Sequence, residues 1–142
     1  MRAPWEQLTR ELDLSERVTF AGQADDADLP ACYKLGDIFV LPANARAEAF
    51  GTVIVEAMAS GLPVISTEVG SGTSWVNLHG TTGLIVPPRD PAALAQALNT
   101  LLSDPAKCAD MGRAAYQRAH AEFSQTAMIE RVEQVYRAVL NA

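Results

Sequence analysis

Ile38-Phe39-Val40-Leu41, stopped by Pro42, and Pro63-Val64-Ile65-Ser66 are two mostly apolar runs, and residues 52–60 between them carry a helical pattern closed by Gly61. Apolar runs without alternation suit strands covered on both faces. A strand, a helix and a second strand of this kind predict a right-handed crossover, hence a parallel sheet with helices on both sides. In such sheets a ligand sits beyond the carboxyl ends of the strands, which points to the loops after Phe20, Leu41 and Ser66.

The same alternation continues outward. Upstream, Val18-Thr19-Phe20 reads as a strand ended by Ala21-Gly22, followed by a helix that Asp26 or Asp28 caps and Gly36 closes. Before it, Trp5, Leu8 and Leu12 form a narrow apolar stripe over residues 4–13, with Pro4 near the helix start. Downstream, Gly70, Gly72, Gly80 and Gly83 mark an irregular stretch with one helical turn at 74–77, and Leu84-Ile85-Val86 is a last strand halted by Pro87-Pro88. From Asp90 onward the pattern is helical, with Asp90, Asp104 and Ser124 as caps and Pro91 and Pro105 at first helical positions. Leu94, Leu98, Leu101 and Leu102 form one face there; Met128, Ile129, Val132, Val135, Tyr136 and Val139 form another. Four strands make a small sheet and the chain opens on a helix, so a preceding strand is expected to be missing.

Length and charge narrow the function classes. At 142 residues the chain fits one domain. Seventeen acidic against eleven basic residues leave a formal charge of −6, which argues against a general binder of nucleic-acid backbone. A small anion is still accessible to backbone amides. Cys32 and Cys108 are far apart and read as buried or half-buried thiols, and His79 and His120 are not paired at ligand spacing, so no metal site is readable. No apolar run approaches the ~20 residues of a membrane span, and the first residues lack a signal peptide's apolar stretch. A cytoplasmic location is the default expectation, with peripheral association at the inner face of a membrane left open.

The loop after Leu41 runs Ala43-Asn44-Ala45-Arg46-Ala47-Glu48-Ala49-Phe50-Gly51 and leads into Thr52-Val53-Ile54-Val55-Glu56. A helix that starts near Thr52 leaves its first amides without intrahelical partners, and with the helix dipole they form an anion site. Gly51 lets a phosphate approach the backbone, and the Thr52 hydroxyl adds a donor. Glu48 lies just before the helix, and Glu56 stands one turn after Thr52 on the same face. A carboxylate accepts paired hydrogen bonds, and the vicinal hydroxyls of a sugar or ribose offer such a pair. Spacing alone equally allows Glu48 to be a solvated loop residue and Glu56 to pair with a surface Lys or Arg. Asp26-Ala27-Asp28 imitates a D-x-D metal motif but begins a helix, where capping is the expected role. Arg46 and His120 read as surface residues, the Gly70-Ser71-Gly72-Thr73 segment as a flexible loop near the ligand or a plain turn, and Trp75 as core or cleft lining.

Glu48 and Glu56, separated by seven residues, with Phe50-Gly51 between and Glu56-Ala57-Met58-Ala59-Ser60-Gly61-Leu62-Pro63-Val64 after, resemble a known signature. It is that of retaining GT-B glycosyltransferases of the large E-x7-E family (family 4 type, glycosyl transferases group 1), which includes sucrose and glycogen synthases and many bacterial sugar transferases. Arg17 to Gly22, Leu29 to Tyr33, Gly36 to Pro42, Thr82 to Pro88 and the Asp90-Pro91 helix fall in that family's order and spacing.

The resemblance implies a Rossmann-like α/β domain, the C-terminal donor-binding half of a GT-B enzyme over residues 1–142, with an all-helical C-terminal segment and no acceptor domain. It implies Glu48 beside the donor sugar near the reacting carbon, with backbone amides of Phe50 and Gly51 on the sugar and Thr52 at the diphosphate. Glu56 would hold the ribose hydroxyls, and the base would rest near Gly22-Gln23. Ala49 departs from the glycine usual at its position. A nucleoside-diphosphate sugar is the implied donor, with no cofactor and no metal, and a glycan or lipid is the implied acceptor. The family's Arg and Lys that neutralise the diphosphate are not matched in this sequence, so the chain alone is expected to be inactive. The alternative is a non-catalytic nucleotide-sugar-binding module, or a subunit that completes a cleft with a separate partner. A GT-B epimerase is disfavoured by the match from Glu48 to Pro63.

Overall fold

The computed structural model describes residues 2–141. Its elements are α1 (Arg2–Glu11), α2 (Leu29–Lys34), β1 (Phe39–Leu41), α3 (Thr52–Ala59), β2 (Val64–Thr67), α4 (Thr73–Val76), β3 (Gly83–Val86), α5 (Pro91–Leu102), α6 (Pro105–Phe123) and α7 (Gln125–Leu140). The three strands form one parallel sheet in the order β1-β2-β3. Its register pairs Phe39 with Val64 and Val64 with Gly83, so all three strands end together near Leu41, Thr67 and Val86.

Successive residues of a strand face opposite sides of the sheet, and the core divides accordingly. Val64, with Phe39 and Leu41 packed beside it, belongs to a cluster with Ile54, Ala57 and Met58 of α3 and Ala115 and Ala119 of α6. Ile65 and Val86 belong to a second cluster with Ala97 and Leu101 of α5, joined by Ile38, Val40 and Leu84. Met111 carries α6 into this second cluster. The expected parallel sheet with helices on both faces is therefore present.

α3 ends in a Schellman motif: the Leu62 amide donates to Ala57 O (3.1 Å) and the Gly61 amide to Met58 O (2.9 Å), with Gly61 at φ +85°. Its neighbour α6 approaches through Gly112, Ala115 and Ala119, all buried. A Cβ on Gly112 would stand 2.3 Å from Gly61 O, so the two backbones meet where no side chain fits. The caps of the last three helices are as expected, with Asp90 accepting from the Ala93 amide (2.9 Å), Asp104 from Lys107 (3.0 Å) and Ser124 from Ala127 (3.2 Å).

Several expectations are corrected. Val18-Thr19-Phe20 forms no strand; it lies outside the sheet with Val18 and Thr19 exposed, because a β run needs a ladder partner and the three paired strands supply none to it. β1, expected to be covered on both faces, is only half-buried, as an edge strand. α2 starts at Leu29, and although Asp28 stands at its N-cap, its helical backbone (φ −93°, ψ −17°) leaves the carboxylate without a capping hydrogen bond. Cys32 is exposed rather than buried or half-buried, whereas Cys108 is half-buried as expected, with its thiol held above the ordinary range by burial and then by the nearby Asp37 charge. Leu102 points away from the face that Leu101 buries, and the apolar residues of α1 and of α7 stay exposed.

The Gly112–Gly61 approach gives a direct test. Gly112→Ala should cost about 1–3 kcal/mol of unfolding free energy through overpacking, read as a lower denaturant midpoint at unchanged slope, whereas Gly36→Ala, whose Cβ would come no nearer than 3.6 Å to any neighbour, should shift that midpoint far less.

Candidate functional site

Both the helix start and the loops around it stand at the carboxyl ends of the strands. β1 ends at Leu41 and β2 at Thr67, and the Thr67 hydroxyl donates across to Ala43 O (2.5 Å), joining the two exits. The segment after Ala43 returns to enter α3 at Gly51, which has φ +81° and ψ +56°. That left-handed conformation favours glycine. A Cβ there would also stand 2.8 Å from Ile54 Cδ1 and 3.3 Å from Thr73 Cγ2. Gly51 is therefore fixed by both conformation and space.

No side chain caps α3. The Ile54 amide turns back to Gly51 O (2.8 Å), while the amides of Thr52 and Val53 have no hydrogen-bond partner among the described residues. This contrasts with the Asp or Ser caps of α5, α6 and α7. An uncapped helix start with free amides and a positive dipole end suits an anion.

The loop is held from behind. The Gly72 amide donates to Ala49 O (2.8 Å), and a Cβ on Gly72 would stand 2.8 Å from that same oxygen. The segment from Gly70 to Thr73 is thus a closely fitted support for the loop that leads into α3. Glu68 organises it, with Oε1 accepting from the Gly70 amide (2.9 Å) and Oε2 from Ser74 Oγ (2.7 Å). The Ser74 hydroxyl first, and then the Gly70 amide, hold the Glu68 carboxyl below its ordinary pKa.

Phe50 is the second anchor. Its ring lies edge-on to Phe123 (6.0 Å, 82°) and beside Trp75 (6.1 Å), and Trp75 meets Phe123 at 5.2 Å and 87°. The Arg118 guanidinium stands over Trp75 and Phe123 (5.7 and 5.4 Å) while donating to Trp75 O (2.7 Å) and Val76 O (3.1 Å), the last carbonyls of α4. The Phe50 side chain is therefore structural, and Trp75 is neither core nor bare lining but a half-exposed member of this cluster.

Glu48 is half-buried before the helix, and no described side chain bonds its carboxylate. Glu56 is exposed one turn into α3, and it pairs with no Lys or Arg. Its Oε2 accepts instead from the Tyr33 hydroxyl (2.8 Å). Glu48, Phe50, Gly51, Thr52 and Glu56 therefore share one loop–helix junction. Gly22, at φ +81°, and Gln23 lie in an exposed irregular segment, and no hydrogen bond among the described residues ties them to that junction. Ala49 and Arg46 are exposed, as is His120. Among the described residues no group of three or more His, Cys, Asp or Glu could hold a metal ion, and no helix is long and apolar enough to cross a membrane.

The site residues that sequence reasoning missed are Tyr33, Glu68, Arg118 and Phe123. Tyr33 lies within the family resemblance but carries no local sign of contact with Glu56. The other three act through tertiary contacts that no spacing announces.

The chain matches the family model "Glycosyl transferases group 1" over residues 1–118, and it belongs to that family. It is 44% identical over 107 residues to a D-rhamnosyltransferase, WbpZ, of Pseudomonas aeruginosa, a match that covers 75% of this chain and 28% of the relative. Its structure is similar to sucrose-phosphate synthase from Thermosynechococcus elongatus, with TM-score 0.86 and 37% identity over 99% of this chain and 34% of that one. It is similar too to Anabaena HepE in complex with UDP-glucose, with TM-score 0.86 and 28% identity over 96% of this chain and 36% of that one. The chain thus spans about a third or less of the length of these relatives. The three-stranded parallel sheet between helices is that of their GT-B C-terminal domain.

Burial first, then the hydrogen bond to Glu56 and its charge, raise the Tyr33 pKa from 10.0 to about 12. The stability this contributes is full below pH 10 and is lost as pH rises through about 12. Ultraviolet titration of tyrosinate, with Tyr33→Phe subtracted, should place this group well above the ordinary value of 10.0. Glu56→Gln should bring it down but leave it above the ordinary value, since burial remains.

Proposed function

We propose that this chain is the donor-binding half of a retaining glycosyltransferase that moves a sugar from a nucleoside-diphosphate sugar to a glycan or lipid acceptor. The observation that supports it best is the uncapped start of α3 behind a left-handed Gly51, with Glu48 before it and Glu56 one turn after, at the carboxyl end of β1. The family to which the chain belongs, and a neighbour in complex with UDP-glucose, make a nucleotide sugar the fitting anion.

Each group then has a role. The amides of Thr52 and Val53, with the Thr52 hydroxyl, take the diphosphate and the negative charge that develops on it as the sugar departs. Glu56 accepts the ribose hydroxyls. Glu48 accepts sugar hydroxyls beside the reacting carbon, where the amides of Phe50 and Gly51 also face the sugar. The base lies toward Gly22 and Gln23. A metal is not required in this division of labour if helix amides, with cations from the rest of the cleft, carry the leaving-group charge.

The donor loop from Pro42 to Gly51 contains one cation, the exposed Arg46. That poverty of positive charge supports the view that these residues bind and orient a donor, and that transfer needs cationic and acceptor-side groups from the rest of the cleft. A cytoplasmic site of action, where nucleotide sugars are available, follows from the same reading. The same poverty favours a second reading, a binding module or subunit that completes its cleft with a separate partner.

Calorimetric titration with a panel of nucleoside-diphosphate sugars separates the roles of the two glutamates. Glu56→Ala should weaken every donor that shares the ribose by about tenfold, the worth of a hydrogen bond to a charged group. Glu48→Gln should weaken donors unequally, according to the sugar. Unchanged affinity for all donors in both variants would sink the assignment.

A further inference from the structure

Glu56 is held by nothing on its own helix. It is exposed, lies in no ion pair among the described residues, and has the rotamer freedom of a long side chain. Its one restraint comes from 23 positions earlier in the chain, where the Tyr33 hydroxyl donates to Oε2 at 2.8 Å. Tyr33 is well placed to impose that restraint. Its ring lies tilted on Phe39 of β1 (5.7 Å, 58°) and packs against the core cluster shared by α3 and α6, so its hydroxyl is fixed by apolar contacts rather than by Glu56 itself.

We propose that Tyr33 is a positioning residue whose hydroxyl fixes the Glu56 carboxylate for a vicinal diol, and so sets the preference for a ribose over a 2′-deoxyribose. This rests on the reading of Glu56 as the ribose acceptor.

The donor and acceptor count is consistent. An ionised carboxylate offers about four lone-pair sites over its two oxygens. Tyr33 occupies one of them on Oε2, which leaves Oε1 and the other site of Oε2 for two hydroxyl donors. A diol needs both oxygens at once, in a fixed plane. A single hydroxyl does not, since it can follow a carboxylate that rotates. Orientation therefore matters more for the ribose than for its 2′-deoxy counterpart. A purely structural tie between α2 and α3 would affect stability and leave this preference alone.

The test uses the full 142-residue chain, titrated calorimetrically with UDP, GDP and ADP and with the 2′-deoxy counterpart of whichever binds tightest. The quantity read is the ratio of the two affinities, which is independent of the fraction folded. The unsubstituted chain should prefer the ribonucleotide, and Glu56→Ala should abolish the preference. Tyr33→Phe, which keeps the ring and removes the hydroxyl, should reduce it about three- to tenfold, a part of the rotamer entropy of one long side chain. Tyr33→Leu serves as the second variant, with the same loss expected. A ratio unchanged in either Tyr33 variant while Glu56→Ala abolishes it overturns this inference alone. No preference in the unsubstituted chain, or one that survives Glu56→Ala, overturns the reading of Glu56 and this inference with it.

Discussion

A single primary amide, Asn77, ties the sheet together from the side. It is fully buried, with Nδ2 within hydrogen-bonding distance of Val64 O (3.2 Å), Ser66 Oγ (2.9 Å) and Leu84 O (3.2 Å). Its Oδ1 accepts from the Thr82 hydroxyl (2.8 Å), and Thr82 Oγ1 in turn accepts from the Leu78 amide (2.8 Å). An unsatisfied buried polar group costs about 1–3 kcal/mol, so such a node stabilises only when it is complete. Here it is complete, and no buried side-chain nitrogen or oxygen among the described residues lacks a partner. The node joins the central strand to β3 and to the turn that feeds it.

Beyond β2, rigidity passes along a short series of close contacts. Glu68 orders the turn at Gly70 and Ser74, Gly72 meets Ala49 O, and Ala49 precedes the Phe50 ring that locks against Trp75 and Phe123. Gly51 then turns left-handed into α3 between Ile54 and Thr73. Each contact restrains backbone rather than reactive side chains. The result is a helix start whose amides are pre-organised and uncapped, whereas α5, α6 and α7 are closed by their own Asp or Ser. Pre-organised dipoles are effective because they do not reorganise when charge develops in front of them.

Legibility in the sequence followed the range of the interaction. The strands at 38–41, 63–66 and 84–86, the three capped helices and the Gly61 stop are written within a few residues of where they act, and the structure repeats them with small shifts of boundary. Val18-Thr19-Phe20 has strand composition but depends on a partner strand, which composition cannot supply. Asp28 has the residue type of a cap, yet its own backbone is already helical and withholds the carboxylate. At the junction from Glu48 to Glu56, the helix start near Thr52 and the glycine before it were legible locally. The Tyr33 hydroxyl, the Arg118 guanidinium and the Phe123 ring were not, because each reaches its partner only after the sheet has brought distant segments together.

Electrostatics explains why such distant groups matter at this site. A helix start presents only about half a unit of positive charge, whereas Glu48 and Glu56 each bring a carboxylate to the same junction in a chain of formal charge −6. Charge matching therefore cannot be the main basis on which these residues distinguish a ligand. Carboxylates next to an anion site are useful when they face hydroxyls, and hydroxyl recognition depends on direction rather than on net charge. A direction must be held by something. Glu48 gains its restraint from half-burial in a loop fixed from behind, and Glu56 gains its own from a tyrosine seated in the core. If these residues bind the proposed donor, hydroxyl placement is what they select for, and the packing behind them supplies the rigidity that such selection requires.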